Sequence, residues 1–420
     1  MNDTAITLPS SLSWPGDGVH RVPYWVYTDP DTYRRELERF YYAGHWCYIG
    51  LEAEIPNPGD FRRSAVGERS VIMVRAQDGS VRVLENVCAH RGAQFCRERQ
   101  GNRKEFVCPY HQWAYDLEGK LRGIPYRRGI RQDGQLSGGM PADFQMEGRG
   151  LTSLKVAVRG GVVFASFDHS VESLEDYLGP TILSYFDRVF DGRKLKVLGY
   201  NRQRIPGNWK LMQENIKDPY HPGLLHSWFV TFGLWRADSK TSLKMDAHKR
   251  HAAMIGVRSV GKPAGDVVSG VTSYKADMSL RDPRQLDIVP EEWWKGPTAV
   301  MLTLFPSLII QQQVNSLSMR HIQPRGPGVF DFVWTHFAFE DDNDEMIQRR
   351  LLQANLFGPS GYVSADDGEV IEFSQMGFQE KPDQQCLLEM GGHGSEEATN
   401  IASETLIRGM YQYWRRVMGV

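Results

Sequence analysis

A chain of 420 residues, 41% of them hydrophobic, exceeds one ordinary core and predicts two or three domains. Its formal net charge of −2 excludes a strong long-range pull toward nucleic acid or an anionic membrane, leaving small molecules and proteins as partners. Five cysteines, Cys47, Cys88, Cys96, Cys108 and Cys386, make no disulfide framework and point to a reducing, cytoplasmic compartment.

The leader, residues 1–18, has neither a basic n-region nor an apolar h-region and does not read as a secretory signal. Residues 31–42, DTYRRELERFYY, carry helical spacing with Asp31 as the N-cap. From His45 to about Phe167 come short alternating segments such as RSVIMVRA and GVVFASF. Gly79, Gly119, Gly123 and the pair Gly160 and Gly161 punctuate them, as an all-β module requires. Residues 127–150 are Gly-rich and predict a long loop. Beyond Val171 follow helices, the strand KVLGYNRQRI, the helix NWKLMQENIKD, a run of strands after about Lys244, and three closing helices. The longest uncharged run, residues 298–319, is broken by Pro306 and carries Gln311, Gln312 and Gln313, which fits buried strands and not a membrane span. The expected organisation is an N-terminal helical segment (1–44), an all-β domain (45–167) and an α+β domain (168–420).

One motif dominates: Cys88-x-His90, 17 intervening residues, then Cys108-x-x-His111. Two thiolates and two imidazoles arriving in pairs suit either a tetrahedral zinc or a 2Fe-2S cluster with one histidine-ligated iron. A common zinc finger takes both cysteines from one knuckle and both histidines from a helix. Here each loop supplies one of each, so Cys88 and Cys108 would hold one iron and His90 and His111 the other, the Rieske arrangement. Cys96 lies between the pairs but belongs to neither.

A second constellation stands in DPYHPGLLH, with Asp218, His221 and His226. Residues five apart on a straight helix are rotated by roughly 140°, so the histidines converge only if Pro222 and Gly223 break it. Two imidazoles and one carboxylate form the ligand set of non-haem Fe(II) oxygenases. Asp367 is the candidate third ligand, sharing a helical face with Val370, Ile371 and Ser374. A plainer reading, in which Asp366 and Asp367 simply favour a helix N-terminus, stays open on these residues alone. No G-x-G-x-x-G follows a strand, so no flavin or nicotinamide site is expected in the chain itself.

The segments CAHRG, CPYHQW, ENIKDPYHPGLLH and FGPSGYVSADDGE resemble the α subunits of aromatic-ring-hydroxylating Rieske non-haem iron oxygenases over nearly the whole chain. The resemblance implies a helix-grip catalytic domain, in which an antiparallel sheet wraps a long helix, and a mononuclear iron on His221, His226 and Asp367. It implies that Asp218 bridges to the cluster histidine matching His111 in a neighbouring subunit of a ring-shaped trimer. It further implies electrons from NAD(P)H through a reductase and a ferredoxin, and a small β subunit in an α3β3 assembly or else an α3 trimer. YIGLEAEIPNPGDF and SLSMRHIQP are similar to the branch acting on benzoate-type acids, nearest to its salicylate-hydroxylating members, with anthranilate and terephthalate dioxygenases beside them. Mono- and dihydroxylation use the same ligands, so the outcome rests on how the ring is held. An electron carrier with an accessory binding domain is the competing class, and the DPYHPGLLH segment and the ADDG helix weigh against it.

Two arginines are candidate anchors for a substrate carboxylate. Arg320 ends the alternating NSLSMR, on one face with Val314, Ser316 and Ser318; Arg408 lies in the closing helix, four residues after Glu404. The plain readings are a strand end and an i, i+4 surface pair. Arginines at matching places in terephthalate-type relatives favour carboxylate capture, for which the guanidinium fork is suited.

Overall fold

A computed structural model of the chain describes residues 13–16, 18–234, 239–258, 275 and 277–420, so most of the leader lies outside the described residues. It forms two compact units, one of residues 41–171, the other of residues 1–40 and 172–420.

The 41–171 unit is all β. Val81–Glu85, Arg69–Arg75, Asp60–Val66 and Gln100–Asn102 form a four-stranded sheet in that order, and two three-stranded sheets complete it. Val71, Ile72, Met73 and Val74 are all fully buried, so the β-branched run of Arg69–Arg75 is covered on both faces. Residues 127–150 are not all loop: Ile130–Gln132 pairs with Gln135–Ser137 across Asp133 and Gly134. Both turn residues have positive φ, 51° and 79°, the type I′ hairpin signature of Asp-Gly.

The larger unit is built on a seven-stranded antiparallel sheet ordered Leu195–Ile205, Val329–Phe339, Ser316–Gly326, Leu308–Gln313, Ala299–Leu304, Ala252–Val257, Lys240–Met245. The helix Trp209–Lys217 packs on Ala299–Leu304 and Ser316–Gly326, burying Trp209, Leu211, Met212 and Ile216. Arg320 does not end its strand. It lies within Ser316–Gly326, opposite Ile309 and Trp334, whereas Val314 turns with φ 46° outside any strand. Asp29, not Asp31, caps the N-terminal helix Pro30–Glu36: its side chain accepts from Thr32 N at 2.6 Å, and Pro30 supplies the preset φ of the first turn. Among the described residues no helix is long and apolar enough to cross a membrane.

Candidate functional site

In the all-β unit the two motif loops repeat one backbone design. The amide of Cys88 donates to Ala93 O and Gly92 N returns to Cys88 O; Cys108 N donates to Trp113 O and Gln112 N returns to Cys108 O, all at 2.9 Å. Each loop therefore turns through a left-handed residue at the same offset, Gly92 at φ 72° and Gln112 at φ 56°. A side chain at φ 56° costs about 1 kcal/mol that the closed loop must offset. The thiols of Cys88 and Cys108 are buried and within hydrogen-bonding reach of one another, while His90 and His111 are half-exposed with ring centroids 4.6 Å apart. Sulfur within and imidazole without is the polarity of a Rieske cluster. Desolvation, then the nearby His111 and Arg91, lower the His90 pKa and favour the neutral ring that ligates metal. Tyr115 Oη lies 3.2 Å from Cys88 Sγ, and Trp113 stacks on His90 at 4.6 Å. Cys96 is bound elsewhere. Asn86 grips its backbone at 2.9 Å through both N–H and C=O, and its thiol faces Glu98 O.

In the larger unit, Pro219 forces Asp218 out of the α region, at φ −101° and ψ 100°, and the helix stops at Lys217. A single turn, Pro222–Leu225, follows, and His226 breaks the chain again at φ −89°, ψ 86°. His221 and His226 thus flank a short turn instead of riding one straight helix, and both rings reach one point. Asp367 Oδ1 lies 3.5 Å from His221 Nε2 and 3.3 Å from His226 Nε2. The three ligand atoms fall within 4.8 Å of one another, a donor set that fits a mononuclear iron.

The other ring nitrogens face carboxylates. Asp366 Oδ2 stands 3.1 Å from His226 Nδ1, so Asp366 holds a ligand in place instead of capping the helix; Tyr362–Glu380 begins four residues earlier. Asp218 Oδ2 is 3.3 Å from His221 Nδ1, too oblique for a full hydrogen bond but close enough for strong attraction, and its other oxygen accepts from Tyr220 N at 2.7 Å. Burial alone would lower the His221 pKa, but Asp218 and Asp367 raise it to about 9. Burial pushes Asp367 up, yet bonds from His221 and His226 outweigh it and hold the carboxyl well below the usual range. Asn215, which the sequence reading passed over, donates to Asp367 Oδ1 at 3.0 Å.

A cavity of about 160 Å³ opens on these ligands and is lined also by Gln311, Gln313, Met301 and Arg320. Arg320 is 2% exposed and stacks 4.0 Å above Trp334, and among the described residues its Nε has no hydrogen-bond partner. Burial depresses its pKa to about 9, opposed by Asp367. Arg408 is elsewhere. Its guanidinium donates to the carbonyls of Gly394, Leu388 and Met390 and does not line the cavity, so it ties a loop to the closing helix instead of meeting substrate.

The chain matches the Rieske [2Fe-2S] domain over residues 45–133 and the ring hydroxylating alpha subunit (catalytic domain) over residues 191–420. It is 70% identical over 411 residues to the salicylate 5-hydroxylase large oxygenase component of Ralstonia sp, covering 98% of this chain and 97% of that one. It is 39% identical to the anthranilate 1,2-dioxygenase large subunit of Burkholderia cepacia, over 98% and 96% of the two chains. The crystal structure of naphthalene 1,2-dioxygenase from Rhodococcus sp. bound to indole superposes with a TM-score of 0.76 at 25% identity, covering 96% of each. The chain therefore belongs to the ring-hydroxylating Rieske non-haem iron oxygenases, as the large oxygenase component that uses a 2Fe-2S cluster and a mononuclear iron and takes its electrons from partner proteins.

Proposed function

We propose that this chain hydroxylates a benzoate-type acid, salicylate first and giving gentisate, with anthranilate as the nearest alternative. The single observation that carries the reading is Arg320: a buried guanidinium, its Nε without a hydrogen-bond partner among the described residues, lining the cavity that also holds His221, His226 and Asp367. Burial of this cation outweighs its attraction to Asp367, and an aromatic carboxylate entering the cavity supplies further opposite charge and acceptor oxygens. The 70% identity to a salicylate 5-hydroxylase component supports the choice of acid.

In this reading Cys88, Cys108, His90 and His111 hold the cluster, and His221, His226 and Asp367 hold the iron. When bound, that iron supplies the activation of dioxygen. The protein does the rest. Arg320, braced by Trp334, fixes the carboxylate and hence which ring carbon faces the metal ligands. Asp366 fixes the plane and tautomer of His226. Asp218, beside His221, accepts the imidazole N–H of His111 of the partner subunit, coupling the two centres across a trimer. Electrons reach the cluster from NAD(P)H through a reductase and a ferredoxin in the cytoplasm, and a small β subunit completes an α3β3 assembly. Product analysis with reconstituted redox partners tests the assignment: salicylate should be turned over fastest among salicylate, anthranilate, benzoate and terephthalate. A fully metal-loaded enzyme that leaves salicylate untouched would overturn it.

A further inference from the structure

One residue before Asn215, and so rotated by about 100° on the same helix, Glu214 faces a group of aromatic side chains that the oxygenase chemistry does not use. Tyr411 donates to Glu214 Oε1 at 2.5 Å, and Tyr27 donates to Glu214 Oε2 at 3.3 Å. The Tyr411 ring lies 6.0 Å from Trp14, 6.2 Å from Trp414 and 6.4 Å from Tyr27; Trp414 lies 5.8 Å from Trp14. Trp25 adjoins both indoles at 6.3 and 6.4 Å. Tyr411 and Trp414 are fully buried, whereas Trp14 is partly exposed. Asn215 touches the ligand Asp367, so Glu214 ties the group to the helix residue that contacts the metal ligands.

Buried phenols and indoles need hydrogen-bond partners, and a backbone carbonyl would serve. Here the two innermost rings each donate to a carboxylate: Tyr411 to Glu214, and Trp414 Nε1 to Glu36 Oε1 at 2.6 Å. A carboxylate can take the proton that an oxidised phenol or indole releases, which an amide carbonyl cannot. Burial raises the Glu214 carboxyl to about 7, against the bonds from Tyr411 and Tyr27, so it gains and loses a proton near neutral pH.

We propose that Tyr411, Trp414 and Trp14 form an electron-transfer chain that drains oxidising equivalents from the catalytic iron to the surface when dioxygen is reduced without substrate being oxidised. Tyr411 gives one electron toward the metal site and its phenolic proton to Glu214. Trp414 then reduces the tyrosyl radical, which recovers its proton from Glu214, while the indole proton passes to Glu36. Trp14 in turn reduces Trp414, which recovers its proton from Glu36. Trp14 keeps its N–H on the Gly18 carbonyl at 2.8 Å and carries the hole as a cationic ring. A soluble thiol closes the cycle by returning one electron and releasing its proton to water, two such thiols joining as a disulfide.

The test runs the holoenzyme with its electron donors under oxygen, without aromatic substrate and with catalase present, and reads oxygen added to Trp14 by peptide mass spectrometry. The parent should accumulate oxidised Trp14 only when iron-loaded, and added thiol should suppress it. Tyr411→Phe, checked for iron content and cluster absorbance, should lower Trp14 oxidation several-fold and move damage to peptides around His221 and His226; Trp414→Phe should lower it by a smaller factor, because Tyr411 also adjoins Trp14 directly at 6.0 Å. If one variant does not retain iron, the other carries the test. Equal Trp14 oxidation in parent and variants, or in iron-free protein, would overturn the chain.

Discussion

Replacing Arg320 by Met should weaken substrate binding and strengthen the fold at once, two effects that a merely structural arginine would not combine. The depression of its pKa from 12.5 to about 9 corresponds to roughly 5 kcal/mol of unfavourable charge burial, at about 1.4 kcal/mol per unit. A base whose folded pKa is lowered destabilises the fold while it stays charged, so the cost is fully present at neutral pH and fades only as pH climbs from about 9 toward the unfolded value of 12.5. Met keeps the apolar stem but loses the stack on Trp334, which returns about 1–2 kcal/mol. With imperfect packing, a net gain of about 2 kcal/mol, or roughly 4–8 °C in thermal midpoint, is expected. Binding moves the other way: loss of a charge-assisted pair costs about 1.5–3 kcal/mol, roughly ten- to a hundredfold in salicylate affinity. Thermal melts with and without salicylate, calorimetry, and the ratio of product formed to NADH consumed would read both effects. Salicylate should raise the midpoint of the parent far more than that of the variant. An Arg320→Met protein that binds salicylate as tightly as the parent, with both metals loaded, would refute the carboxylate role.

Cys88→Ala or Cys108→Ala should abolish the visible absorbance and EPR signal of the cluster, while Cys96→Ala, whose thiol faces Glu98, should preserve both. Asp218→Asn should keep both metals and slow cluster-to-iron electron transfer in single-turnover experiments; normal rates there would remove the bridge. Asp366→Asn should weaken iron binding about 10- to 100-fold by loosening His226, measured by iron titration. Because His221 titrates at about 9 in the metal-free site and iron must displace its proton, iron affinity should rise with pH up to about 9. The same raised pKa stabilises the metal-free fold fully below its unfolded value of 6.5, and that contribution should fade between 6.5 and about 9 in pH-dependent melts.

Covalent spacing made the paired candidates Cys88 with His90, Cys108 with His111, and His221 with His226 legible, because a pair on one loop is a local property, whereas Asp367 joined them through the family resemblance. Pro222 and Gly223 announce a broken helix, but both lie inside the turn Pro222–Leu225, and the breaks fall beside it, at Asp218 before Pro219 and at His226. What the chain text conceals is register. Arg320 looked like a strand end because the alternation of NSLSMR stops there, yet its strand runs on to Gly326, and Trp334 meets it only through cross-strand pairing. Arg408 failed as a substrate anchor for a related reason: nothing near it in sequence reveals that the carbonyls of residues 388–394 curl back onto the closing helix. Asp366 and Asp367 were separable only by helix position, since a start at Tyr362 places both inside the helix, one behind a ligand and one among the ligands.

The twin loops around Cys88 and Cys108 bear on how firmly the cluster ligands are seated. Each is closed by its own pair of main-chain bonds, and the cysteines sit in a packed core with Phe61, Phe95, Phe106 and Tyr115. Main-chain bonds and packed aromatic rings therefore brace both cysteines alongside whatever bonds the cluster adds. Each loop presents one thiol and one imidazole, so a change that opens either loop would unseat half of the ligand set.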